Sequence, residues 1–202
     1  MDYITHLQKD KKLARILIAP IEAPVVRRNI PLRLMASIMS QQLSTKVAKV
    51  IYHRFLLLYK GKEPSCKQVL ATDPGVLRSI GLSNAKVQYV LNVATFFITE
   101  KLTDKKLASL NNDELITLLT QIKGVGRWTV EMLLMFSLGR EDVFAVDDLG
   151  IQQAMIHLYK LDNTDKKALR LKMLRISDKW QPYRSYACRH LWQWKDTPAP
   201  TA

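Results

Sequence analysis

The sequence predicts an all-α protein, and three observations carry that expectation. From Gly75 to Gln181 the chain holds no proline; all eight prolines lie at or before position 74 or at or after 182. Apolar residues recur at helical spacing, as in Val87, Val90, Leu91 and Ala94, and upstream Met35, Met39, Leu43, Val47 and Ile51 return every fourth residue. Alternating apolar and polar runs, the mark of half-buried strands, are hard to find. At the usual helix length of about 11–12 residues the chain has room for about ten short helices. Ser83, Asn111 with Asn112, Thr164 and Ser185 stand where helix starts are expected, and Gly61, Gly81 and Gly139 where helices should stop. The PAPTA tail at 198–202 reads as loose.

A length of 202 residues suits one domain or two small subdomains packed together. With 48% hydrophobic and 24% charged residues the composition is that of an ordinary globular protein. The 31 Lys+Arg against 18 Asp+Glu give a net charge of +13, which favours a polyanionic partner: DNA, RNA or an acidic membrane surface. Charge alone does not choose among them. Two cysteines, Cys66 and Cys188, exclude a disulfide framework and any four-cysteine zinc or iron–sulfur site, and suggest a reducing compartment. Residues 1–15 lack a signal pattern, and the apolar run around Pro20 and Pro24 is too broken to span a bilayer. The four histidines show no metal-ligand spacing.

The charge is uneven. Between Glu22 and Glu63 there is no acidic residue, yet there are Arg27, Arg28, Arg33, Lys46, Lys49 and Arg54. This stretch reads either as a solvated helix face or as a phosphate-facing surface.

The most informative segment is 115–156. A helix is expected to end near Gln121, and Lys123-Gly124-Val125-Gly126 then turns the chain into a second helix from about Arg127. Glycine permits a positive φ and lets another group approach the backbone closely. The amides at the start of the second helix would make a phosphate site. An ordinary helix–helix turn with a C′ glycine is the alternative. Downstream lies Asp142-Val143-Phe144-Ala145-Val146-Asp147-Asp148, where either aspartate of the final pair could cap a helix over 149–158.

The hairpin 122–129 and the segment 142–148, in this order and spacing, resemble the helix-hairpin-helix, Gly/Pro-rich-loop, aspartate superfamily of DNA glycosylases. Ile38-Met39-Ser40-Gln41-Gln42-Leu43-Ser44, Gly81-Leu82-Ser83 with Lys86 and Tyr89, and Pro182-Tyr183-Arg184-Ser185-Tyr186-Ala187 with Trp192 are similar to its alkylation-repair branch, the 3-methyladenine DNA glycosylase II type. The resemblance spans roughly 30–195. It implies two helical subdomains flanking an active-site cleft, one about 38–140 and the other about 1–37 with 141–195, and a chain long enough for that catalytic core alone.

The resemblance places the catalytic aspartate on Asp148, leaving Asp147 as the cap or a backbone clamp, with capping and catalysis at one residue as the alternative. A fixed carboxylate suits this chemistry, because breaking an N-glycosidic bond develops oxocarbenium character on the sugar. An alkylated purine already carries positive charge and leaves without a dedicated general acid. Bifunctional relatives carry a nucleophilic lysine where this chain has Trp128, so the resemblance implies a monofunctional enzyme without lyase activity. The absent cysteines also set the chain apart from the endonuclease III and adenine-mismatch branches. Trp128, Met132 and Trp192 are the implied base pocket. For Trp128 and Trp192, core packing is the alternative. Met132 replaces a tyrosine found in some relatives.

The residue that fills the hole left by a flipped nucleotide maps to Gln42, with Gln41 and Leu43 as neighbours able to intrude instead; helix capping by the glutamines is the alternative. Gly124, Val125, Gly126, Arg127 and Thr129 are the implied contacts to the DNA backbone. No cofactor is expected to be required. In such proteins the hairpin often holds a monovalent cation, sodium or potassium, and the matching carbonyls are those of Thr120, Ile122 and Val125.

The expected function is excision of alkylated purines of the 3-methyladenine and 7-methylguanine type from double-stranded DNA. The expected protein is a monomer with no membrane partner, in the bacterial cytoplasm or the eukaryotic nucleus. The alternatives are a glycosylase for a deaminated or oxidised base, and a non-catalytic helix-hairpin-helix module that only binds duplex DNA.

Overall fold

Short polar caps divide this chain into helices. A computed structural model describes residues 2–197; the tail at 198–202 lies outside the described residues. Helices α1 (Tyr3–Leu7), α2 (Ile30–Ser40), α3 (Thr45–Leu57), α4 (Cys66–Leu70), α5 (Pro74–Ser79) and α6 (Asn84–Thr99) are followed by α7 (Asp104–Ala108), α8 (Asn112–Leu119) and α9 (Arg127–Phe136). The series ends with α10 (Leu149–Tyr159), α11 (Lys166–Ser177) and α12 (Arg184–Asp196). Two 3-10 turns, Leu13–Ile16 and Asp178–Trp180, complete the described residues, which contain no strand. The fold is therefore all-α, as the periodicity predicts. There are more helices than expected, because α1, α4, α5 and α7 are each too short to show a period.

The chain groups into two units, Val26–Leu133 and the residues up to Val25 together with those from Leu134 onward. In the first unit α6 is the central rod, and α2, α4 and α5 pack against it. Its apolar face supplies Val87, Val90, Val93, Ala94 and Phe97 to the core. The α6 start is capped by Ser83, whose hydroxyl accepts from Lys86 N–H. The start of α2 is capped from a distance: Asn29 sits at φ 59° with no cap of its own, and Asp104 accepts from Asn29 N–H at 2.7 Å and Ile30 N–H at 3.1 Å. The acid-free stretch is thus served by acids from elsewhere. Arg33 belongs to this internal chemistry through its ion pair with Glu63, which removes it from the expected phosphate-facing set.

In the second unit α10 packs on α12. Trp180 is wholly buried, edge-on to Phe144 at 5.7 Å. Its indole N–H and the Tyr159 hydroxyl both donate to Asp10 Oδ2, at 3.1 and 2.7 Å, while Lys12 and Leu13 N–H donate to Oδ1. Burial pushes the Asp10 carboxyl up, but these four hydrogen bonds outweigh it and hold the group below the usual carboxylate range.

Two expected starts shift. α11 is capped by Asp165, whose carboxylate reaches Lys167 and Ala168 N–H, and not by Thr164. α12 begins at Arg184, and Ser185 lies inside it. The every-fourth-residue pattern from Met35 to Ile51 does not form one helix; it is broken at residues 41–44.

Candidate functional site

The hairpin is built by two helices and braced by a third. α8 opens with a capping box between Asn111 and Glu114 and ends at Leu119, with Thr120 as its C-cap. The chain then turns tightly, with Val125 N–H donating to the Ile122 carbonyl at 2.9 Å. Gly124 has φ 103°, and a Cβ there would lie 2.2 Å from Tyr89 Cγ, so glycine is required by both conformation and space. Asn92 Nδ2 donates to the Lys123 carbonyl at 3.0 Å. Ile122 and Val125 turn their side chains into the core. Gly126 is different: a Cβ there would meet nothing within 4 Å, so nothing inside the protein demands a glycine. Helix α9 starts at the next residue and presents the positive end of its dipole there.

Two of the expected backbone contacts are narrowed by this geometry. Thr129 is buried, and its hydroxyl lies 3.4 Å from Gln41 Nε2, so its side chain does not face outward; only its backbone N–H remains as a phosphate donor. Arg127 donates from Nε to the buried Glu131 at 2.8 Å, which fixes one edge of its half-exposed guanidinium. The carbonyls of Thr120, Ile122 and Val125 fall at the C-terminal end of α8 and in the turn after it. Neutral carbonyl oxygens near the negative end of a helix dipole suit a hard monovalent cation. Ile122 O gives one lone pair to Val125 N–H, and a carbonyl oxygen has two. Among the described residues no group of three or more His, Cys, Asp or Glu side chains is placed to hold a metal.

The loop between α2 and α3 carries Gln42 at φ 57°, a left-handed conformation that a non-glycine residue adopts at a cost. The backbone is held on both sides of it. Ser44 caps α3 by accepting from Val47 N–H. Lys86 Nζ donates to the carbonyls of Met39 at 3.0 Å and Gln41 at 2.7 Å, placing a cation on the C-terminal end of α2. Partial burial pulls the Lys86 ammonium below its ordinary range. The Gln41 side chain is turned back to Thr129, whereas Gln42 is exposed and Leu43 is 36% exposed.

Asp148 is the N-cap of α10. Its Oδ1 accepts from Ile151 N–H at 2.8 Å and from the Trp192 indole N–H at 2.8 Å. The assignment of the cap to Asp147 is therefore corrected: Asp147 faces Arg170 in an ion pair. The segment before Asp148 is clamped by α12. Arg184 binds Asp142 through two parallel hydrogen bonds of 2.6 and 2.9 Å. The Ser185 hydroxyl donates to the Arg140 carbonyl at 2.6 Å and accepts from Val143 N–H at 3.0 Å. This explains why the Arg184-Ser185 pair accompanies the aspartate segment in the sequence.

The three aromatic or apolar candidates fare differently. Trp128 is 36% exposed on the first turn of α9, and Met132, one turn later, is half-buried. Trp192 is half-buried and engaged with Asp148. Phe136, which sequence reasoning missed, is 45% exposed and packs on Trp192 with ring centroids 5.8 Å apart. Its signal was present: Trp128, Met132 and Phe136 follow one another at i, i+4 and i+8 on α9.

Comparison with known proteins agrees with the fold. The model of the HhH-GPD superfamily base excision DNA repair proteins matches residues 35–179. The chain is 38% identical over 162 residues to DNA-3-methyladenine glycosylase 1 of Schizosaccharomyces pombe, covering 79% of this chain and 70% of that protein. It is 30% identical over 166 residues to a putative DNA-3-methyladenine glycosylase of Bacillus subtilis, covering 79% and 57%. Among solved structures, the Schizosaccharomyces pombe 3-methyladenine DNA glycosylase in complex with abasic DNA superposes with a TM-score of 0.86 at 31% identity over 100% of both chains. A DNA-3-methyladenine glycosidase from Bacillus halodurans does so with 0.81 at 33% identity, over 96% of this chain and 88% of the other. With its hairpin, its capped aspartate and these matches, the chain belongs to the helix-hairpin-helix, Gly/Pro-rich-loop, aspartate superfamily of base excision DNA repair proteins and is related to its 3-methyladenine glycosylase II branch.

Proposed function

We propose that the protein is a monofunctional DNA glycosylase that removes alkylated purines, of the 3-methyladenine and 7-methylguanine type, from double-stranded DNA. The observation that carries this reading is Asp148: a carboxylate held at the start of α10 by two hydrogen bonds to one of its oxygens. In the reaction the C1′–N bond breaks and the pair of electrons leaves with the base. The base departs neutral because alkylation had already made it cationic. Asp148 stabilises the positive charge growing on the sugar and orients the water that adds at C1′. The water's second proton passes to solvent, and an abasic site remains.

The other residues take supporting roles. Gln42, exposed at the tip of its loop, fills the gap in the duplex; Gln41, turned inward to Thr129, is not available for this. The hairpin, with Gly126 at its outer surface, meets the phosphate backbone, and a sodium or potassium ion on the carbonyls of Thr120, Ile122 and Val125 would bridge to phosphate. Trp128 and Met132 contact the flipped base. Trp128 offers no amine, so no covalent intermediate forms with the sugar. The protein acts as a monomer on chromosomal DNA.

The test is incubation with methylated duplex DNA and identification of the freed bases. Release of 3-methyladenine and 7-methylguanine, abolished by Asp148→Asn, is the expected result. Borohydride should trap no protein–DNA adduct. Base release by Asp148→Asn at the wild-type rate, or a trapped adduct, would refute the mechanism.

A further inference from the structure

We infer that Trp192 is a positioning residue: its indole N–H fixes the Asp148 carboxylate, and it serves the reaction through Asp148 rather than as a surface for the base. This inference rests on the reading of Asp148 given above. Three observations carry it.

The first is the shared acceptor. Trp192 Nε1 and Ile151 N–H both donate to Asp148 Oδ1, each at 2.8 Å. Capping α10 needs only the Ile151 bond. The indole adds a second donor, from a different helix, to the same oxygen, and so takes away the carboxylate's freedom to rotate. A carboxylate that must face a developing cation works in proportion to how well it is placed before the reaction starts.

The second is the space around Gly150. A Cβ at this position would lie 3.1 Å from Asp148 Oδ1, 3.1 Å from Trp192 Cδ1 and 3.2 Å from Trp192 Nε1. The first turn of α10 therefore lacks a side chain where the indole edge and the carboxylate meet. The third is Phe136, whose ring rests against the indole with centroids 5.8 Å apart and planes tilted by 33°. The ring is thus braced by an aromatic neighbour as well as held at its N–H edge.

The test uses the full chain and a duplex carrying one alkylated purine, under single-turnover conditions. Trp192→Phe keeps an aromatic ring and removes the N–H. Base release at saturating enzyme should slow by about tenfold to a hundredfold, with the Kd for abasic duplex changed by less than about twofold. Gly150→Ala, whose methyl group would crowd both the indole edge and Asp148 Oδ1, should also slow base release. A wild-type rate for Trp192→Phe would overturn the inference.

A second readout needs neither substrate nor activity. In a nitrogen–proton correlation spectrum the Trp192 indole signal, identified by its absence in Trp192→Phe, should move upfield in Asp148→Asn, where a neutral amide oxygen replaces the carboxylate. An unmoved signal would overturn the contact itself. If the wild-type protein releases no alkylated base, the proposed function fails, and the indole signal still decides whether Trp192 holds Asp148.

Discussion

Lys86 Nζ lies 2.7 Å from the carbonyl oxygen of Gln41, so a side chain from the first turn of α6 holds the backbone of the loop that presents Gln42. The bond to the Met39 carbonyl makes the same ammonium a cap for the end of α2. Lys86→Met keeps the length of the side chain and removes both bonds. Stability should fall by about 1–3 kcal/mol, the usual effect of leaving partly buried hydrogen-bonding groups unpaired. Affinity for abasic duplex should fall as well, while affinity for undamaged duplex changes little. Urea unfolding and fluorescence anisotropy on the two duplexes check both expectations.

Gln42 pays for its left-handed backbone, and a glycine there would not. Gln42→Gly should be at least as stable as the wild type, gaining up to about 1 kcal/mol after the greater chain entropy of glycine is counted. Its binding to abasic duplex should nevertheless weaken, because the side chain proposed to fill the gap is gone. A variant that is destabilised, or that binds abasic duplex as tightly as wild type, would contradict the assignment. Denaturant midpoints and titrations of the same preparation decide it.

The two hairpin glycines should separate folding from binding. Gly124→Ala drives a methyl group into the Tyr89 ring and strains a φ of 103°, so it should cost more than about 2 kcal/mol of stability. Gly126→Ala meets no protein atom and should change stability by less than about 0.5 kcal/mol. Yet Gly126→Ala should weaken binding to damaged and undamaged duplex alike, since it puts a methyl group on the surface proposed to meet the phosphate backbone. Equal effects of the two substitutions on both measurements would count against this division.

His190 is 1% exposed, and burial, with the nearby Arg189 charge adding to it, lowers its basicity from the ordinary value of 6.5. The sign follows from linkage. Above pH 6.5 the imidazole is neutral in both the folded and unfolded chain and pH has no effect through it. As the pH drops below 6.5 the unfolded chain takes up a proton that the folded chain refuses, so the folded state loses stability until its own lower value is reached. Melting temperature should therefore decline from pH 7 towards pH 5. His190→Phe, which cannot take up a proton, should flatten that decline. A profile of the same slope in the variant would show that other groups cause it.

Much of this was legible in the sequence because it is local. The Ser83 cap, the Asn111–Glu114 box, the hairpin glycines and the start of α10 all follow from residues within a few positions of one another. What was hidden depends on partners far along the chain. Leu43 and Val47 continue the four-residue period of Met35 and Met39, so nothing local announces the break between α2 and α3; Lys86, from α6, is bound at the point where α2 ends. Asp147 and Asp148 look alike as caps, and the choice between them is made by Arg170, which pairs with the first, and Trp192, which binds the second. Phe136 carries helical register with Trp128 and Met132, but its contact with Trp192 spans two helices and no local pattern predicts it.

Helix α6 works as a ruler. Lys86 in its first turn sets the Gln42 loop, Tyr89 one turn later fills the place of a Gly124 side chain, and Asn92 holds the Lys123 carbonyl. The spacing between the loop and the hairpin is then counted in turns of one rod, each turn about 5.4 Å. A deletion or insertion within these seven positions would throw one element out of step with the other, whereas exposed substitutions along the same stretch would leave the interval intact. The separation between the Gln42 loop and the hairpin is therefore written into the register of a single helix.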